Sequence, residues 1–448
     1  MNNFNPNFIF QYTIVMDKFV TTQKVSNLTD DQNVAFDAFK EGKNLLITGP
    51  AGTGKSHLIR KMSAYSQRLK KTIAITAMTG AAAYIINGKT LHSWAGIGLG
   101  DKPAPIIAQK ILNSYPKKIK WQRCNILIVD EVSMMNSSLF ELLEEVARIV
   151  RKNEKPFGGI QVIFLGDFYQ LPPVGKTEQE RKFCFESPVW KDVIEKTVIL
   201  REIMRQKDPR FQKILQEVRI GEVSMETIEI LMSRVGIEPD ISSGIVPTLL
   251  SSKKLDVEKM NQREFKKLSG LDIIQYDPIY EIIGERKKAM KEEEMKIWID
   301  IIDKDNNYEK SIQITENAQV MLLKNIDQEN GLVNGSRGIV IGFENDLPIV
   351  RFMNGTTQTI GYAEYSFEIS QVSTIVSKQI PLSLAWCTTI HKSQGQSLDS
   401  IKMNIGSNIF EYGQIYVALS RARTLEHLYI DEFDPKKIRV HPKVKELF

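Results

Sequence analysis

Short apolar runs alternate with amphipathic stretches through the first half of the chain. Four of the runs have the length and composition of buried strands: residues 44–49, 71–77, 125–131 and 160–167. Residues 137–152 have the sequence SSLFELLEEVARIVRK, whose apolar positions recur at the spacing of a helix with one buried face. Buried strands that alternate with such helices predict an α/β fold, with a parallel sheet covered on both faces.

A second series of apolar runs predicts a second α/β domain, built from segments on either side of an insertion. These runs are residues 197–203, 246–252, 381–387 and 426–432. Residues 281–300 are rich in charge, with Glu and Lys four residues apart, which is more typical of a solvated surface helix than of a binding tract. Residues 312–375 contain short strands and Gly-rich turns, which indicate a small β-barrel.

Composition limits the class of protein without defining it. The 448 residues correspond to roughly two to four domains, and 42% apolar with 25% charged residues is ordinary for a globular protein. A net charge of +5 is compatible with a nucleic-acid partner but does not establish one. The three cysteines form no CxxC pair, so neither a zinc site nor a disulfide framework is predicted. Without a long apolar run or a secretory signal, we expect no membrane association and an intracellular location.

The sequence GPAGTGKS at residues 49–56 fits the phosphate-loop pattern GxxxxGK[ST], between a predicted strand and a predicted helix. Its glycines allow backbone N–H groups to surround phosphate oxygens at the start of the helix. Lys55 is expected to reach the β- and γ-phosphates and Ser56 to coordinate Mg²⁺. The predicted cofactors are thus ATP and Mg²⁺, and the predicted binding residues of the loop are Gly49, Pro50, Ala51, Gly52, Thr53, Gly54, Lys55 and Ser56.

A second apolar strand, within LIVDEVSMM at residues 127–135, ends in two adjacent carboxylates. Carboxyl ends of parallel strands meet at one edge of a sheet, so Asp130 and Glu131 should lie beside the phosphate loop. Asp130 is expected to hold Mg²⁺ through water, and Glu131 to polarise the water that attacks the γ-phosphate. Two adjacent carboxylates after an apolar run are common, so the pair alone is a weak indication of a nucleotide site. Together with the phosphate loop at residues 49–56 it becomes a strong one.

Four further side chains suit the same site. Gln170, just after the strand 160–167, is a candidate sensor of the γ-phosphate, with a simple turn residue as the alternative. Arg205 and Arg421 could neutralise charge from a second domain, although either alone would more often form a surface salt bridge. Gln32 could pair with adenine, since its amide both donates and accepts, and the lack of an NKxD motif disfavours GTP.

Taken together, these segments resemble superfamily-one helicases, and specifically the PIF (petite integration frequency) family near the RecD and Dda groups. The most specific similarity is at residues 142–174, between motifs II and III of that family. The resemblance extends over residues 28–430 and includes further motifs at 76–83, 88–98, 204–211, 385–399 and 413–423. Two departures, Ser251-Ser252 where Thr-Asn is usual and Ser397 where Thr is usual, affect DNA contacts rather than phosphate chemistry.

The resemblance implies specific residue roles. Gln32 would contact adenine, Gln170 would sense the γ-phosphate, and Arg205 and Arg421 would be arginine fingers. Gln394 and Gly395 would lie near the nucleotide. The residues implied to line a single-stranded DNA track are Thr79, Gly80, His92, Ser93, His391 and Lys392.

Base stacking is a further possibility for three aromatic side chains near these motifs. Trp94, Phe168 and Tyr169 could stack on DNA bases. Each could equally be a core residue, and we favour that interpretation for Trp94.

The resemblance also implies an architecture of two RecA-like P-loop domains. It comprises an N-terminal tail, a first domain with a small wedge insertion, a second domain in two segments, and a small β-barrel inserted between those segments. The tail is residues 1–27, and the first domain is residues 28–200, with the wedge at 95–120. The second domain is residues 201–311 and 386–448, and the β-barrel is residues 312–385.

The implied function is that of an ATP-dependent DNA helicase with 5′-to-3′ polarity, and the polarity comes only from the family. Its partners would be single-stranded DNA and forked or tailed duplexes, with single-strand-binding proteins and G-quadruplex DNA as further family expectations. A monomer is expected, with roles in replication, repair, recombination or telomere maintenance. Three alternatives remain: a translocase that unwinds poorly, an RNA helicase, and a binding module with a vestigial ATPase, which the intact phosphate site disfavours.

Overall fold

The computed structural model describes residues 28–98, 100–268, 270, 272–284, 292–305, 311–327, 329–370 and 373–448, so the predicted tail 1–27 lies outside it. The first domain contains a sheet of six parallel strands in the order β3-β2-β4-β5-β1-β6. The strands are β1 (Leu45–Thr48), β2 (Ile73–Ala77), β3 (Lys89–Thr90), β4 (Ile126–Asp130), β5 (Gln161–Gly166) and β6 (Lys196–Ile199). No helix among the described residues is long and apolar enough to span a bilayer.

Nine helices accompany this sheet in the described part of the first domain. They are α1 (Asp30–Lys40), α2 (Lys55–Arg68), α3 (Gly80–Ile85), α4 (Leu91–Ala95), α5 (Ala104–Leu112), α6 (Tyr115–Arg123), α7 (Ser137–Arg151), α8 (Glu178–Arg181) and α9 (Trp190–Val193). The predicted helix 137–152 is confirmed as α7. Asn136 caps it by accepting a hydrogen bond from Leu139 N, and its apolar face, with Phe140 and Val146, is buried.

The four strands predicted in the first half are all present, but the sheet is larger than predicted. The apolar run 197–203 was predicted in the series of strands that forms the second domain. Its strand β6 instead pairs in parallel with β1, with Lys196 opposite Leu45, and so belongs to the first sheet. An apolar run indicates that a strand is buried, but it does not indicate with which strand, and so in which sheet, it pairs.

The predicted wedge, residues 95–120, forms helices α5 and α6, and α6 continues to Arg123. Ile107 and Ile111 belong to the core of the first domain, so the base of this segment is firmly packed. Trp121 is fully buried, and its indole donates to the carbonyl of Ala95 at 2.9 Å. The ring of Trp94 lies 4.8 Å from that of Trp121, which confirms that Trp94 is a core residue.

The rest of the chain contains the second domain and the insertion. Its elements in chain order are α10 (Pro209–Ile220), α11 (Met225–Met232), β7 (Thr248–Ser251), α12 (Lys254–Lys266), β8 (Ile273–Tyr276), β9 (Ile279–Gly284), α13 (Glu292–Asp305), β10 (Ile312–Thr315), β11 (Gln319–Leu322), β12 (Arg337–Glu344), β13 (Leu347–Phe352), β14 (Thr357–Thr359), β15 (Ala363–Ser370), β16 (Ser373–Gln379), β17 (Leu382–Leu384), β18 (Cys387–Thr389), β19 (Ile401–Ile405), α14 (Gln414–Leu419), β20 (Leu428–Phe433) and α15 (Pro442–Leu447). The second domain has a parallel sheet in the order β18-β7-β19-β20.

The insertion consists of antiparallel sheets with the orders β14-β13-β12-β11-β17, β15-β16-β9 and β10-β8. The first and third of these sheets share one apolar core. The insertion begins at β8 rather than at residue 312, because β8 pairs with β10 and β9 pairs with β16. Of the surface helix predicted over 281–300, the start is strand β9, residues 285–291 lie outside the described residues, and the remainder belongs to α13.

The predicted strand 381–387 is two strands, β17 in the insertion and β18 in the second parallel sheet. Trp386, between them, packs into the core of the insertion.

The C-terminal segment crosses back to the first domain. Residues 386–448 were predicted to belong entirely to the second domain. Val444 of α15 is instead fully buried in the core of the first domain, and the ring of Phe448 stacks 5.9 Å from that of Tyr169. Helix α15 has only six residues, so its few apolar positions form no periodic pattern, and the sequence does not indicate which domain they pack against.

Candidate functional site

A cavity of about 290 Å³ lies between the two parallel-sheet domains. Both domains contribute to its walls. The predicted site residues that line it are Ala51, Gly52, Gly54, Lys55, Ser56, Asp130, Glu131, Gln170, Arg205, Gly395 and Arg421. Residues that were predicted from six separate motifs therefore meet at one place.

The phosphate loop connects β1 to α2 and depends on its glycines. Gly52 and Gly54 have φ of +87° and +81°, a left-handed conformation that side chains disfavour. A Cβ atom at Gly54 would lie 2.6 Å from Nε2 of Gln32, so the space is also closed. Lys55 Nζ donates to the carbonyls of Gly49 and Pro50 at 2.7 and 2.9 Å. Burial lowers the pKa of Lys55, and Asp167, Glu131 and Asp130 oppose that shift.

The two predicted carboxylates stand at the end of β4, with Asp130 its last residue and Glu131 the next. Glu131 has φ of +56°, and its backbone N–H donates to Oδ1 of Asp130 at 2.9 Å. Burial, and then repulsion from Glu131, raise the pKa of Asp130 to about 7. A buried carboxylate pair of this kind favours a nearby cation.

The residues present fit a magnesium ion. The Ser56 hydroxyl and the Asp130 carboxylate line the same cavity, and hard oxygen ligands are those that Mg²⁺ prefers. Within the described part of the chain, no cluster of three or more His, Cys, Asp or Glu side chains could hold a metal alone. An ion bound here would take its remaining ligands from phosphate and water.

Gln394 of the second domain joins two predicted residues of the first domain. Its Nε2 lies 3.0 Å from Oε2 of Glu131 and 3.2 Å from Oε1 of Gln170. Gln170 is buried in the turn after β5. The residues predicted to polarise water and to sense phosphate are thus held by one amide group.

The two predicted arginine fingers both line the cavity, Arg421 fully buried and Arg205 half-buried, and they are held differently. Arg205 Nη1 makes a single long hydrogen bond, 3.4 Å, to the carbonyl of Ser420. Arg421 donates to the carbonyls of Val417, Ser393 and Gln396 and to the hydroxyl of Ser420. Burial, and then the neighbouring Arg205, lower the pKa of Arg421 to about 9.

Gln32 lies beside the phosphate loop, with both groups of its amide engaged. Its Nε2 donates to the carbonyl of Thr53 at 3.0 Å, and its Oε1 accepts from the N–H of Thr29 at 3.2 Å. The second bond is half of a capping box at the start of α1. Adenine recognition by Gln32 stays a prediction.

The cavity is also lined by five residues that were not predicted from the sequence: His57, Arg60, Ala82, Ile85 and Met204. Three more unpredicted residues, Asp167, Arg219 and Tyr416, lie behind the phosphate loop. Arg219 of α10 donates three hydrogen bonds to Asp167, and Tyr416 of α14 lies between Asp167 and the loop residue Ala51. Asp167 follows β5 just as Asp130 ends β4, and that strand-end position was a usable signal. Tyr416 lies within the motif at 413–423, which was a usable signal, whereas nothing in the sequence distinguishes Arg219 from other arginines.

The predicted DNA-track residues all follow the carboxyl ends of parallel strands. Thr79 and Gly80 follow β2, His92 and Ser93 follow the neighbouring strand β3, and His391 and Lys392 follow β18. Ser93 and Lys392 are exposed, and the other four are half-buried. Their role in binding stays a prediction.

Base stacking by Phe168 is contradicted. Its ring is 1% exposed and lies edge-on to that of Phe185 at 4.9 Å, because the turn after β5 directs it into the core. Tyr169 is half-buried, with the guanidinium of Arg219 4.2 Å from its ring and Phe448 stacked at 5.9 Å.

A phosphate loop, a carboxylate pair at a strand end and arginines supplied by a second parallel-sheet domain define a two-domain P-loop ATPase. Residues 27–229 match the family model described as PIF1-like helicase, and residues 300–343 match DNA helicase Pif1, 2B domain. The ATP-dependent DNA helicase PIF1 of Xenopus laevis is 39% identical over 430 residues, which cover 95% of this chain. The chain spans 64% of the length of that relative.

Solved structures agree with the sequence relatives. The crystal structure of Pif1 helicase from Candida albicans is similar with a TM-score of 0.75 and 34% identity, over 94% of this chain and 99% of that one. A structure of Bacteroides Pif1 bound to ssDNA has a TM-score of 0.65 and 29% identity, over 94% and 96%. The chain belongs to the PIF1-like helicase family, and its two parallel-sheet domains are RecA-like.

Proposed function

We propose that the chain is an ATP-dependent DNA helicase that moves along single-stranded DNA and separates duplex DNA ahead of it. This proposal rests on one observation: side chains of the phosphate loop, the carboxylate pair and the two arginines line a single cavity between two RecA-like domains. A site divided between two domains couples hydrolysis to their relative motion, because each nucleotide state requires a different separation.

The chain's own residues divide the chemistry among them. The N–H groups at the start of α2 and the ammonium of Lys55 hold the phosphates. Ser56 and Asp130 would hold Mg²⁺, which neutralises charge on the transferred phosphoryl group. Glu131 orients and polarises the attacking water, while Arg205 and Arg421 stabilise the charge that develops on the γ-phosphate.

The track for DNA follows from the strand ends. Thr79, His92, His391 and Lys392 follow the carboxyl ends of strands in the two parallel sheets, and a single strand crossing both domains there would meet them. Contacts of this kind hold phosphates and carry no sequence information, which suits an enzyme that moves over any sequence. The polarity proposed is 5′ to 3′, by analogy with the family, and the segment that includes α5 and α6 is the proposed wedge.

The biological setting is part of the proposal. We propose a location with the DNA inside the cell and a role in replication, repair, recombination or telomere maintenance. Forked or tailed duplexes are the proposed substrates, with G-quadruplex DNA and single-strand-binding proteins as additional partners. The proposed active form is a monomer.

The deciding experiment measures ATP hydrolysis with and without single-stranded DNA or RNA, together with unwinding of duplexes that carry a 5′ or a 3′ tail. Glu131→Gln is the control, and it should reduce hydrolysis at least about 100-fold while it retains ATP binding. Stimulation by DNA and unwinding only from the 5′ tail is the expected result.

The other outcomes identify the alternatives. Stimulation by DNA without unwinding indicates a translocase, and stimulation by RNA alone indicates an RNA helicase. Unwinding only from the 3′ tail would overturn the polarity, and hydrolysis equal to that of Glu131→Gln would leave only a binding module.

A further inference from the structure

The hydroxyl of Tyr416 lies between the phosphate loop and a buried carboxylate. It accepts a hydrogen bond from the N–H of Ala51 at 2.9 Å and donates one to Oδ2 of Asp167 at 3.0 Å. Tyr416 belongs to the second domain, whereas Ala51 and Asp167 belong to the first. Burial, and then the charge of Asp167, raise the pKa of Tyr416, so the hydroxyl remains protonated and can donate.

Arg219 holds the carboxylate in place. Its Nη2 lies 2.9 Å from Oδ1 of Asp167, and its Nε lies 3.0 Å from Oδ2. Both side chains are buried, and Tyr169 covers the guanidinium with its ring. Burial alone would lower the pKa of Arg219, but the charge and hydrogen bonds of Asp167 raise it. A two-point, desolvated ion pair of this kind fixes the orientation of Asp167.

Helix α14 connects Tyr416 to the hydrolytic site. Its first turn abuts the first domain, since a Cβ atom at Gly413 would lie 2.5 Å from the carbonyl oxygen of Gln170. Arg421, which lines the cavity, follows shortly after the end of the same helix. The guanidinium of Arg421 bonds to the carbonyl of Val417 in that helix at 3.0 Å. Helix α14 therefore contributes to the position of Arg421, together with the carbonyls of Ser393 and Gln396, which also accept from its guanidinium.

We propose that Asp167, Arg219 and Tyr416 are positioning residues that dock helix α14 against the phosphate loop and thereby place Arg421 at the γ-phosphate. This inference rests on the proposed ATPase activity of the same cavity. The three side chains do not touch the reacting atoms. Their contribution is to the geometry of Arg421 when the domains close, and a tyrosine suits this purpose because its rigid ring fixes the position of the hydroxyl.

The test is Tyr416→Phe, which removes the hydroxyl and keeps the ring. Loss of two buried hydrogen bonds that position Arg421 should lower kcat for ATP hydrolysis by about three- to tenfold. KM for ATP should change by less than about twofold, since the effect is confined to the transition state. The matched control is Tyr276→Phe, which removes a hydroxyl that donates to the carbonyl of Asp346 in the insertion, and its kcat should equal that of the wild type.

Two further variants separate positioning from a loss of folding. Combined with Arg421→Lys, Tyr416→Phe should produce little additional loss, because both changes act through the same guanidinium. Arg219→Lys should keep the charge but lose the two-point contact, and so lower kcat in the same direction without unfolding the chain. Thermal unfolding curves identify any variant that fails to fold.

The outcomes are distinguishable. Hydrolysis by Tyr416→Phe equal to that of Tyr276→Phe overturns the inference and leaves the proposed ATPase intact. Losses that multiply in the double variant also overturn it, since Tyr416 would then act independently of Arg421. A wild-type chain that does not hydrolyse ATP overturns the proposed function, and this inference with it.

Discussion

Gln394 of the second domain donates a hydrogen bond to Glu131 of the first, with 3.0 Å between Nε2 and Oε2. The same nitrogen lies 3.2 Å from Oε1 of Gln170. Glu131 stands in a left-handed backbone conformation, which aims its side chain toward the domain boundary at some cost in strain. The proposed water-polarising carboxylate is therefore oriented from the opposite domain, and its orientation depends on closure.

Replacement of Gln394 by leucine should separate nucleotide binding from hydrolysis. Gln394→Leu keeps the side-chain volume but removes a hydrogen bond to a charged, buried group, which contributes about 1.5–3 kcal/mol. We expect kcat for ATP hydrolysis to fall about tenfold or more, with KM for ATP nearly unchanged. Steady-state hydrolysis with saturating single-stranded DNA measures both quantities.

Gln396→Leu is the matched control, because the Nε2 of Gln396 contacts Oδ1 of Asn334 in the insertion rather than the cavity. Its hydrolysis should remain close to that of the wild type. Equal activity of the two variants would show that Gln394 does not orient Glu131.

The two arginines of the cavity should differ in their effect on stability. Arg205 makes one long hydrogen bond, so Arg205→Ala should lower kcat by about 10³-fold or more while the free energy of unfolding stays nearly constant. Arg421→Ala also removes three buried hydrogen bonds, to the carbonyls of Val417, Ser393 and Gln396. The first two carbonyls keep a second donor, the hydroxyl of Ser420 and the N–H of Gln396. Arg421→Ala should therefore lower kcat and also reduce the free energy of unfolding by about 1–3 kcal/mol.

Urea titrations followed by circular dichroism, alongside hydrolysis assays, make this comparison. Arg423→Ala provides a reference, since Arg423 pairs with Asp399 at the surface instead of lining the cavity. An Arg421→Ala chain as stable as Arg205→Ala would contradict the structural role given to the hydrogen bonds of Arg421.

Much of the fold could be predicted because strong local patterns specify it. The four predicted strands of the first sheet and helix α7 are present, since buried apolar runs and helical periodicity depend on neighbouring residues in the sequence. The predictions were wrong where a strand's place in a sheet depends on a pairing partner far away in the sequence. Strand β6 belongs to the first sheet, and the insertion begins earlier in the chain than predicted, at β8. Neither could be predicted, because the sequence of one strand does not specify the strand with which it pairs.

The site was predictable wherever its residues stand in a motif with a chemical reason. Lys55, Glu131, Gln170 and Arg421 meet in the cavity as expected. Asp167 could have been found from its place at the end of β5. Tyr416 could have been singled out within the motif at 413–423, but Arg219 could not, because it becomes distinctive only when the two domains come together.

Lys392 should contribute to DNA binding through charge alone. It is exposed just after β18, and its neighbour His391 is half-buried. Lys392→Ala should weaken binding of single-stranded DNA to a similar extent for any sequence, and reduce the slope of log affinity against log salt by about 0.7. Fluorescence anisotropy with labelled oligonucleotides at several salt concentrations measures that slope.

Lys402→Ala is the comparison for Lys392→Ala, since Lys402 pairs with Asp431 at 2.9 Å on the second sheet. It should leave the slope unchanged. A strong dependence of the Lys392 effect on base sequence would instead indicate a contact with bases.

The C-terminal helix α15 should stabilise the first domain although it follows the second. Val444 is fully buried in the core of the first domain, and Val444→Asp would place an unpaired charge there. The free energy of unfolding should fall by about 3–5 kcal/mol. Lys445→Asp, on the exposed side of the same helix, introduces the same side chain without burial and should cost less than about 0.5 kcal/mol. Chemical denaturation of both variants tests this, and equal stability would mean that α15 leaves the first domain in solution.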